Sequence, residues 1–252
     1  MMNNPVSDMN TTTTKNASLW RIFVMLTLPT VLIIILITIF IALRSAIGGH
    51  DAESSSALVS EYISYVFIFN LTVVFCVLLR FLHKDKLKLS DIGFRLPDNG
   101  TKGLIAEVTL AIVSTIIVVG LLINLMPFFE SVQADAPKLV EGSKKLGDDF
   151  LLALFSAVFV ASFVEESIFR GYAITVLRRR WGQVIAILIS TLFFGLYHIS
   201  YGVAGVFRTM FQGLVFALLF ARSHSLLGPM LAHSLTNLIG TLLTFDVLSF
   251  EI

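Results

Sequence analysis

Three short polar clusters interrupt long apolar stretches of this chain. They are Glu165-Glu166 with Arg170, then His198, then His233 with Asn237. An ionised side chain at the centre of a bilayer costs roughly 2.5–3.5 kcal/mol on insertion scales, so polar groups in such stretches usually mark function. Carboxylates, imidazoles and an amide are the groups that a hydrolytic site needs, as a general base and as hydrogen-bond donors to an anionic intermediate.

The first cluster predicts a division of labour between two neighbouring glutamates. Glu166 and Arg170 are four residues apart, so on a helix they share one face and can form an ion pair. Glu165 is rotated by one residue, points elsewhere and is free to act as a general base. The alternative is that all three side chains form one network that only locks the helix.

The two histidine clusters are weaker signals when each is taken alone. His198 follows Phe194 by four residues, so an aromatic ring on the same face can hold the imidazole rigid. His233 and Asn237 are also four apart, and both can donate hydrogen bonds to a developing oxyanion. The alternatives are a structural histidine at position 198 and, for the second pair, a polar contact that joins two helices.

Composition places these residues in a membrane protein. Of 252 residues, 56% are hydrophobic and only 14% are charged, well below the charged fraction of a soluble domain. With a net charge of +1 and no basic stripe, the chain is not expected to bind nucleic acid. The single cysteine, Cys76, excludes an intramolecular disulfide and a cysteine-based metal cluster.

The hydropathy pattern predicts an all-α, polytopic bundle of about seven transmembrane helices, with an eighth short or re-entrant piece as an alternative. The predicted spans are residues 22–43, 58–82, 104–128, 149–177, 182–200, 205–221 and 226–246. We predict a disordered polar N-terminus at 1–19, N-terminal membrane helices at 20–148 and a catalytic core at 149–246, the last two forming one membrane domain.

Charge placement predicts the orientation of the bundle. Residues 80–102 hold six Lys/Arg against three acids, and residues 178–180 are three consecutive arginines. The alternate loops are acidic or balanced, as in residues 130–149 with five acids against three lysines. The positive-inside rule then places the N-terminus inside and the C-terminus outside.

Depth along the helices favours one shared site. At a rise of 1.5 Å per residue, Glu165 lies ~20 Å from Arg178, and His198 lies ~24 Å from Gly182. Helices four, five and seven can therefore bring the three clusters to one level of the bilayer.

The three motifs occur in the order E-E-x-x-x-R, F-x-x-x-H and H-x-x-x-N, and this pattern resembles a known family. The family is the CAAX prenyl protease and bacteriocin-processing (CPBP, or Abi) family of intramembrane endopeptidases. The resemblance covers about residues 150–242. Gly171, Phe211-Gln212-Gly213 and Pro229 agree with it.

The resemblance implies a role for each motif. Glu165 would be the general base on a water molecule held jointly with His198, and His233 and Asn237 would stabilise the oxyanion. Glu166, Arg170 and Phe194 would support them. The protein would lie in a lipid bilayer, in a bacterial cytoplasmic membrane, and would cleave a membrane-associated peptide or protein.

The metal requirement is open in this family. Glu165, His198 and His233 offer three ligands of a zinc site with one open position. Asn237 is a poor zinc ligand, however, and no two histidines lie close together on one helix. We therefore favour a reaction without a cofactor, with zinc as the alternative.

Two other functions use the same residues. A non-catalytic bacteriocin immunity or binding protein of the same fold would retain the motifs without cleaving anything. A proton-coupled transporter would use the buried carboxylate and histidines as a relay. Such transporters usually contain two similar halves, which this sequence lacks.

Overall fold

A computed structural model describes residues 18–48, 52–133, 149–245 and 247. The described parts are helical, without strands, and form seven helices. The helices are α1 (Leu19–Gly48), α2 (Ala52–Lys84), α3 (Gly100–Gln133), α4 (149–181), α5 (Gln183–Tyr197), α6 (Gly202–Ser223) and α7 (Leu227–Thr244). Short 3₁₀ turns lie at Leu89–Ile92 and Ile199–Tyr201.

The all-α membrane fold is confirmed, whereas the count of about seven spans is not. In the described residues, α1, α2, α3, α4 and α6 are long and apolar enough to cross a bilayer. Helix α5 is apolar but has 15 residues, and so covers about 22 Å of a hydrocarbon core that is about 30 Å thick. Each predicted span nevertheless corresponds to one of the seven helices.

Helix α4 is the central element. Half of its most apolar window is buried, against 39% or less in the other four spanning helices. Helix α1, by contrast, exposes Ile34, Ile35 and Ile39 along its middle and is buried mainly near its start, at Ile22 and Met25. Outward-facing isoleucines suit a hydrocarbon solvent, so the protein is an integral membrane protein.

Two π-helical stretches widen α4. Its consecutive pieces are Asp149–Phe155, the π-helix Ser156–Ala161, Ser162–Glu166, the π-helix Ser167–Ile174, and Thr175–Trp181. Side chains of neighbouring helices bind carbonyls within both π-helices. Ser190 of α5 donates to the Phe169 carbonyl at 2.6 Å, and α7 binds the first π-helix in the same way. Single-turn π-helices are frequent at functional sites.

A buried carboxylate joins three helices near one end of the bundle. Asp85, directly after α2, accepts hydrogen bonds from Arg21 of α1 and, at 2.6 Å, from the Tyr172 hydroxyl of α4. The Asp85 side chain is 1% exposed. In the sequence, Asp85 is only one of the three acids of residues 80–102, and nothing in the local pattern marks its buried contacts.

The connection between α2 and α3 is an ordered part of the fold. A turn precedes α3, since the Gly100 amide donates to the Pro97 carbonyl at 2.8 Å. Farther back, the Gly93 carbonyl accepts from the Leu226 amide, so the connection packs on the turn between α6 and α7. Gly93 has a φ of 101°, and a Cβ there would lie 2.6 Å from the Phe220 ring. Only glycine fits both conditions.

Some predictions lie outside the described residues or are not tested by them. Residues 1–17 of the polar N-terminus and residues 134–148 of the acidic loop are outside them. The predicted domain limits and the inside–outside orientation stay predictions.

Candidate active site

The Glu166–Arg170 pair is present as expected from its spacing. Arg170 Nη1 lies 3.0 Å from Glu166 Oε1, and both side chains are completely buried. Arg170 Nη2 also donates to the Gly213 carbonyl of α6 at 3.2 Å. A buried charge pair needs such additional hydrogen bonds to offset its loss of hydration.

His233 of α7 lies between the two adjacent carboxylates of α4. Its Nδ1 is 2.9 Å from Glu166 Oε1, and its Nε2 is 3.9 Å from Glu165 Oε2. The expectation that Glu165 points away from the partners of Glu166 is therefore wrong, because both glutamates meet opposite edges of one ring. An ionised Glu166 assigns the Nδ1 proton to this hydrogen bond.

Glu165 keeps hydrogen-bonding capacity in a buried place. It is 2% exposed, and its Oε2 has no hydrogen-bond partner among the described residues. The Tyr197 hydroxyl also lacks a described partner of regular hydrogen-bond geometry, and it interacts with the Glu165 carboxylate as a neighbouring hydrogen-bonding group. A buried polar atom without a partner costs about 1–3 kcal/mol, and such atoms often belong to catalytic groups.

Phe194 is the point at which the motifs meet. Its ring centroid lies 4.0 Å from the Arg170 guanidinium carbon, 4.9 Å from the His198 ring and 5.9 Å from the His233 ring. The first contact is a cation–π interaction. Gly213 also packs against this ring, since a Cβ there would lie 2.7 Å from Phe194 Cδ1.

His198 ends α5 and is oriented by its own helix. Its Nδ1 lies 2.9 Å from the Phe194 carbonyl, which assigns the proton to Nδ1 and leaves Nε2 as an acceptor. The rings of Tyr197 and Tyr201 pack against the imidazole, at 4.9 and 5.8 Å between centroids. Among the described contacts, His198 joins the glutamates through Phe194 and Tyr197, and not by a hydrogen bond of its own.

Asn237 contacts the helix that carries the glutamates and not the glutamates themselves. Its Nδ2 donates to the Ala157 carbonyl at 2.7 Å, and Ser234 donates to the next carbonyl, that of Val158, at 2.8 Å. Both acceptors lie in the first π-helix of α4. The structure therefore gives Asn237 a structural contact, and its oxyanion role stays a prediction.

The side chains proposed as zinc ligands do not form a metal-binding group among the described residues, and the choice between a reaction without a cofactor and a zinc-dependent one stays a prediction. Across the described ranges, no three His, Cys, Asp or Glu side chains form a group that could hold a metal ion. Glu165, His198 and His233 therefore do not make a three-ligand set in this conformation.

Two contributors to the site are not among the residues predicted from the sequence. Tyr197 is one of them, although it lies next to His198. Phe216 packs at 5.6 Å from both the His233 ring and the Arg170 guanidinium. Its spacing of three residues from Gly213, on the same face of α6, was the available signal.

The fold is a helical membrane bundle, and its candidate active site is a buried cluster of glutamate, histidine and arginine side chains. Residues 147–239 match the family model described as type II CAAX prenyl endopeptidase Rce1-like. This stretch contains all three motifs, so the predicted resemblance is confirmed for this part of the chain. No curated protein and no solved structure matched the chain in the corresponding comparisons.

Proposed function

We propose that this protein is an intramembrane endopeptidase that hydrolyses a peptide bond of a membrane-associated peptide or protein. The observation that carries the proposal is the buried Glu165 carboxylate, whose Oε2 has no described hydrogen-bond partner and faces His233 Nε2 at 3.9 Å. The match to a family of prenyl endopeptidases over the same residues supports it.

The adjacent glutamates have different roles in this proposal. Glu166 is bound by Arg170 and His233 and therefore fixes the position of the His233 ring. Glu165 has no comparable hydrogen bond and accepts a proton from the attacking water as it adds to the carbonyl carbon. The same carboxyl then gives this proton to the leaving amine when the carbon–nitrogen bond breaks.

The histidines orient the water and stabilise the intermediate. His198 Nε2, an acceptor because Nδ1 is bound to the Phe194 carbonyl, orients the water together with Glu165. His233 Nδ1 is engaged by Glu166, so a hydrogen bond to the oxyanion must come from a proton on Nε2. Asn237 would add a second donor with the amide hydrogen that does not bind Ala157.

The proposed reaction uses no metal step. Its proton transfers need only Glu165 and the two histidines, and the reacting water attacks directly, without a covalent intermediate. The proposal predicts full activity after exhaustive chelation, with no zinc detected by elemental analysis. Loss of activity on chelation and recovery with zinc would instead support the zinc-dependent version.

A single substitution tests the proposal. The probe is a farnesylated, internally quenched peptide that ends in a Cys-aliphatic-aliphatic-X sequence, because the matched family is described by that substrate. Glu165→Gln should lower kcat by about 10²–10⁴-fold, since it removes the general base with little change of shape. His198→Ala and His233→Ala should also abolish cleavage while the protein still accumulates in membranes.

Glu107→Gln is the matched control, because Glu107 is another buried carboxylate of the bundle, on α3. It should cleave at the wild-type rate. Unchanged cleavage by the Glu165→Gln protein would exclude Glu165 as the general base of the reaction. If the chain protects cells from a bacteriocin and that protection survives Glu165→Gln, the non-catalytic immunity function is supported instead.

A further inference from the structure

Three arginines converge at one end of the bundle, away from the glutamates. Arg95 lies in the connection between α2 and α3, and Arg178 and Arg179 lie in the last turn of α4. The charges of Arg95 and Arg179 both act on Arg178. We call these three residues the arginine cluster.

The turn between α6 and α7 holds the arginine cluster in place. Arg178 Nη1 lies 2.9 Å from His224 Nδ1, and Arg95 Nε donates to the His224 carbonyl at 3.2 Å. Burial, together with the charges of Arg178 and Arg95, lowers the pKa of His224. A neutral imidazole can accept the hydrogen bond from Arg178 without cancelling its charge.

Acidic side chains only partly offset the cluster. Asp98 Oδ1 lies 3.8 Å from Arg95 Nη2, at a site where the Asp98 side chain is 83% exposed. Asp91 interacts with Arg179, but its Oδ2 already accepts the Lys88 amide at 2.7 Å. The cluster therefore keeps unneutralised guanidinium groups at its surface.

The surface around the arginines is apolar and exposed. Trp181 follows the last arginine of α4 and is 37% exposed, and Leu89 and Leu96 of the connection are 43% and 54% exposed. Tryptophan is enriched where the headgroups of a bilayer begin. We therefore expect the arginines beside these side chains to lie at the depth of lipid phosphates.

We propose that the arginine cluster binds the phosphate group of an anionic phospholipid. A guanidinium group presents paired donors that match phosphate oxygens, and the cluster supplies them from two separate elements. Arg178 belongs to α4, which carries the glutamates, and its partner His224 immediately precedes α7, which carries His233. A bound headgroup therefore tightens the junction between the helices that form the active site.

The test measures lipid binding by the full-length protein and needs no activity assay. Phosphatidylglycerol and phosphatidylcholine with the same acyl chains are titrated into the detergent-solubilised protein, and bound lipid is counted by native mass spectrometry. The wild type should bind phosphatidylglycerol preferentially. Arg95→Gln with Arg179→Gln should weaken that binding by roughly five-fold for each arginine removed.

The control variant removes the same charge from the same end of the bundle. Lys84→Gln with Lys102→Gln changes two exposed lysines at the end of α2 and the start of α3, and it should keep the wild-type affinity. Equal losses in both double variants, or no preference for phosphatidylglycerol, would overturn the proposal. Inorganic phosphate is the second probe, and a response to it without a response to phosphatidylglycerol would overturn the lipid assignment as well.

Discussion

Glu165 and Glu166 show how two identical neighbours acquire different chemistry from their surroundings. Glu166 Oε1 accepts from Arg170 and from His233 Nδ1, at 3.0 and 2.9 Å. Glu165 Oε2 lies 3.9 Å from His233 Nε2, and the Tyr197 hydroxyl also interacts with the Glu165 carboxylate. Carboxylates with separated environments often divide into a structural and a reactive partner. The His233 ring contacts Glu166 through Nδ1 and approaches Glu165 through Nε2.

Substitution of Gly213 tests whether the position of the Phe194 ring matters for stability and activity. A Cβ there would lie 2.7 Å from Phe194 Cδ1 and 3.0 Å from Arg170 Nη2. Gly213→Ala should therefore displace the Phe194 ring, cost about 1–3 kcal/mol of stability, and lower kcat on the farnesylated reporter. Thermal unfolding and steady-state kinetics measure the two effects.

Gly240→Ala is the control for this variant. Within the described structure, a Cβ at Gly240 of α7 meets no atom within 4 Å, and alanine is the better helix former. This variant should be at least as stable as the wild type and fully active. Wild-type kinetics in Gly213→Ala would show that the Phe194 position does not matter for the reaction.

At the scale of the helices, the π-helices of α4 determine which of its side chains contact α7. The sequence predicts the Glu166–Arg170 contact because a spacing of four residues survives at the boundary between the α and π segments. The sequence does not predict the π-helices. Hydrophobic periodicity is an average over several helical turns, and it does not show that one turn contains an extra residue. It therefore missed that both glutamates reach the same ring of α7.

Asn237 and Ser234 provide a test at the same scale, because both bind carbonyls of the first π-helix. Asn237→Ala and Ser234→Ala should each lower stability by about 1–2 kcal/mol, as expected for a hydrogen bond between membrane helices. If Asn237 also binds the oxyanion, Asn237→Ala should lower kcat by about 10²–10³-fold more than Ser234→Ala does.

Thermal unfolding and kcat separate the two contributions. Equal losses of stability and of kcat in the two variants would leave Asn237 with its structural contact alone. Asn237→Asp is an additional comparison, because it keeps the size of the side chain but removes the amide donors.

Across the whole molecule, the four helices of the matched region are flanked by the three that precede them. Helix α1 packs on α2 and α5, and α3 packs on α6 and α7. Hydropathy alone predicted each helix, because a bilayer demands long apolar segments. It did not predict the contacts of Asp85 with Arg21 and Tyr172, since partners 64 and 87 residues away leave no local pattern.

Hydropathy also could not predict how many helices cross the bilayer, because α5 is apolar yet shorter than the hydrocarbon core. Orientation follows from a separate argument about charge. Lysines and arginines concentrate in residues 80–102 and 178–180, and these two ranges include the arginine cluster. The positive-inside rule predicts that the end of the bundle that carries them faces the cytoplasm.

Cysteine labelling tests the orientation, since Cys76 is the single cysteine of the chain. In a Cys76→Ser background, Asp98→Cys places a thiol in the basic connection, and Ile47→Cys places one at the far end of α1, where the native side chain is 83% exposed. A membrane-impermeant maleimide should label Ile47→Cys in intact cells and Asp98→Cys only after permeabilisation, because the basic end is held on the cytoplasmic side. Both should react equally in detergent, and labelling of Asp98→Cys in intact cells would reverse the assignment and place the arginine cluster on the outer leaflet.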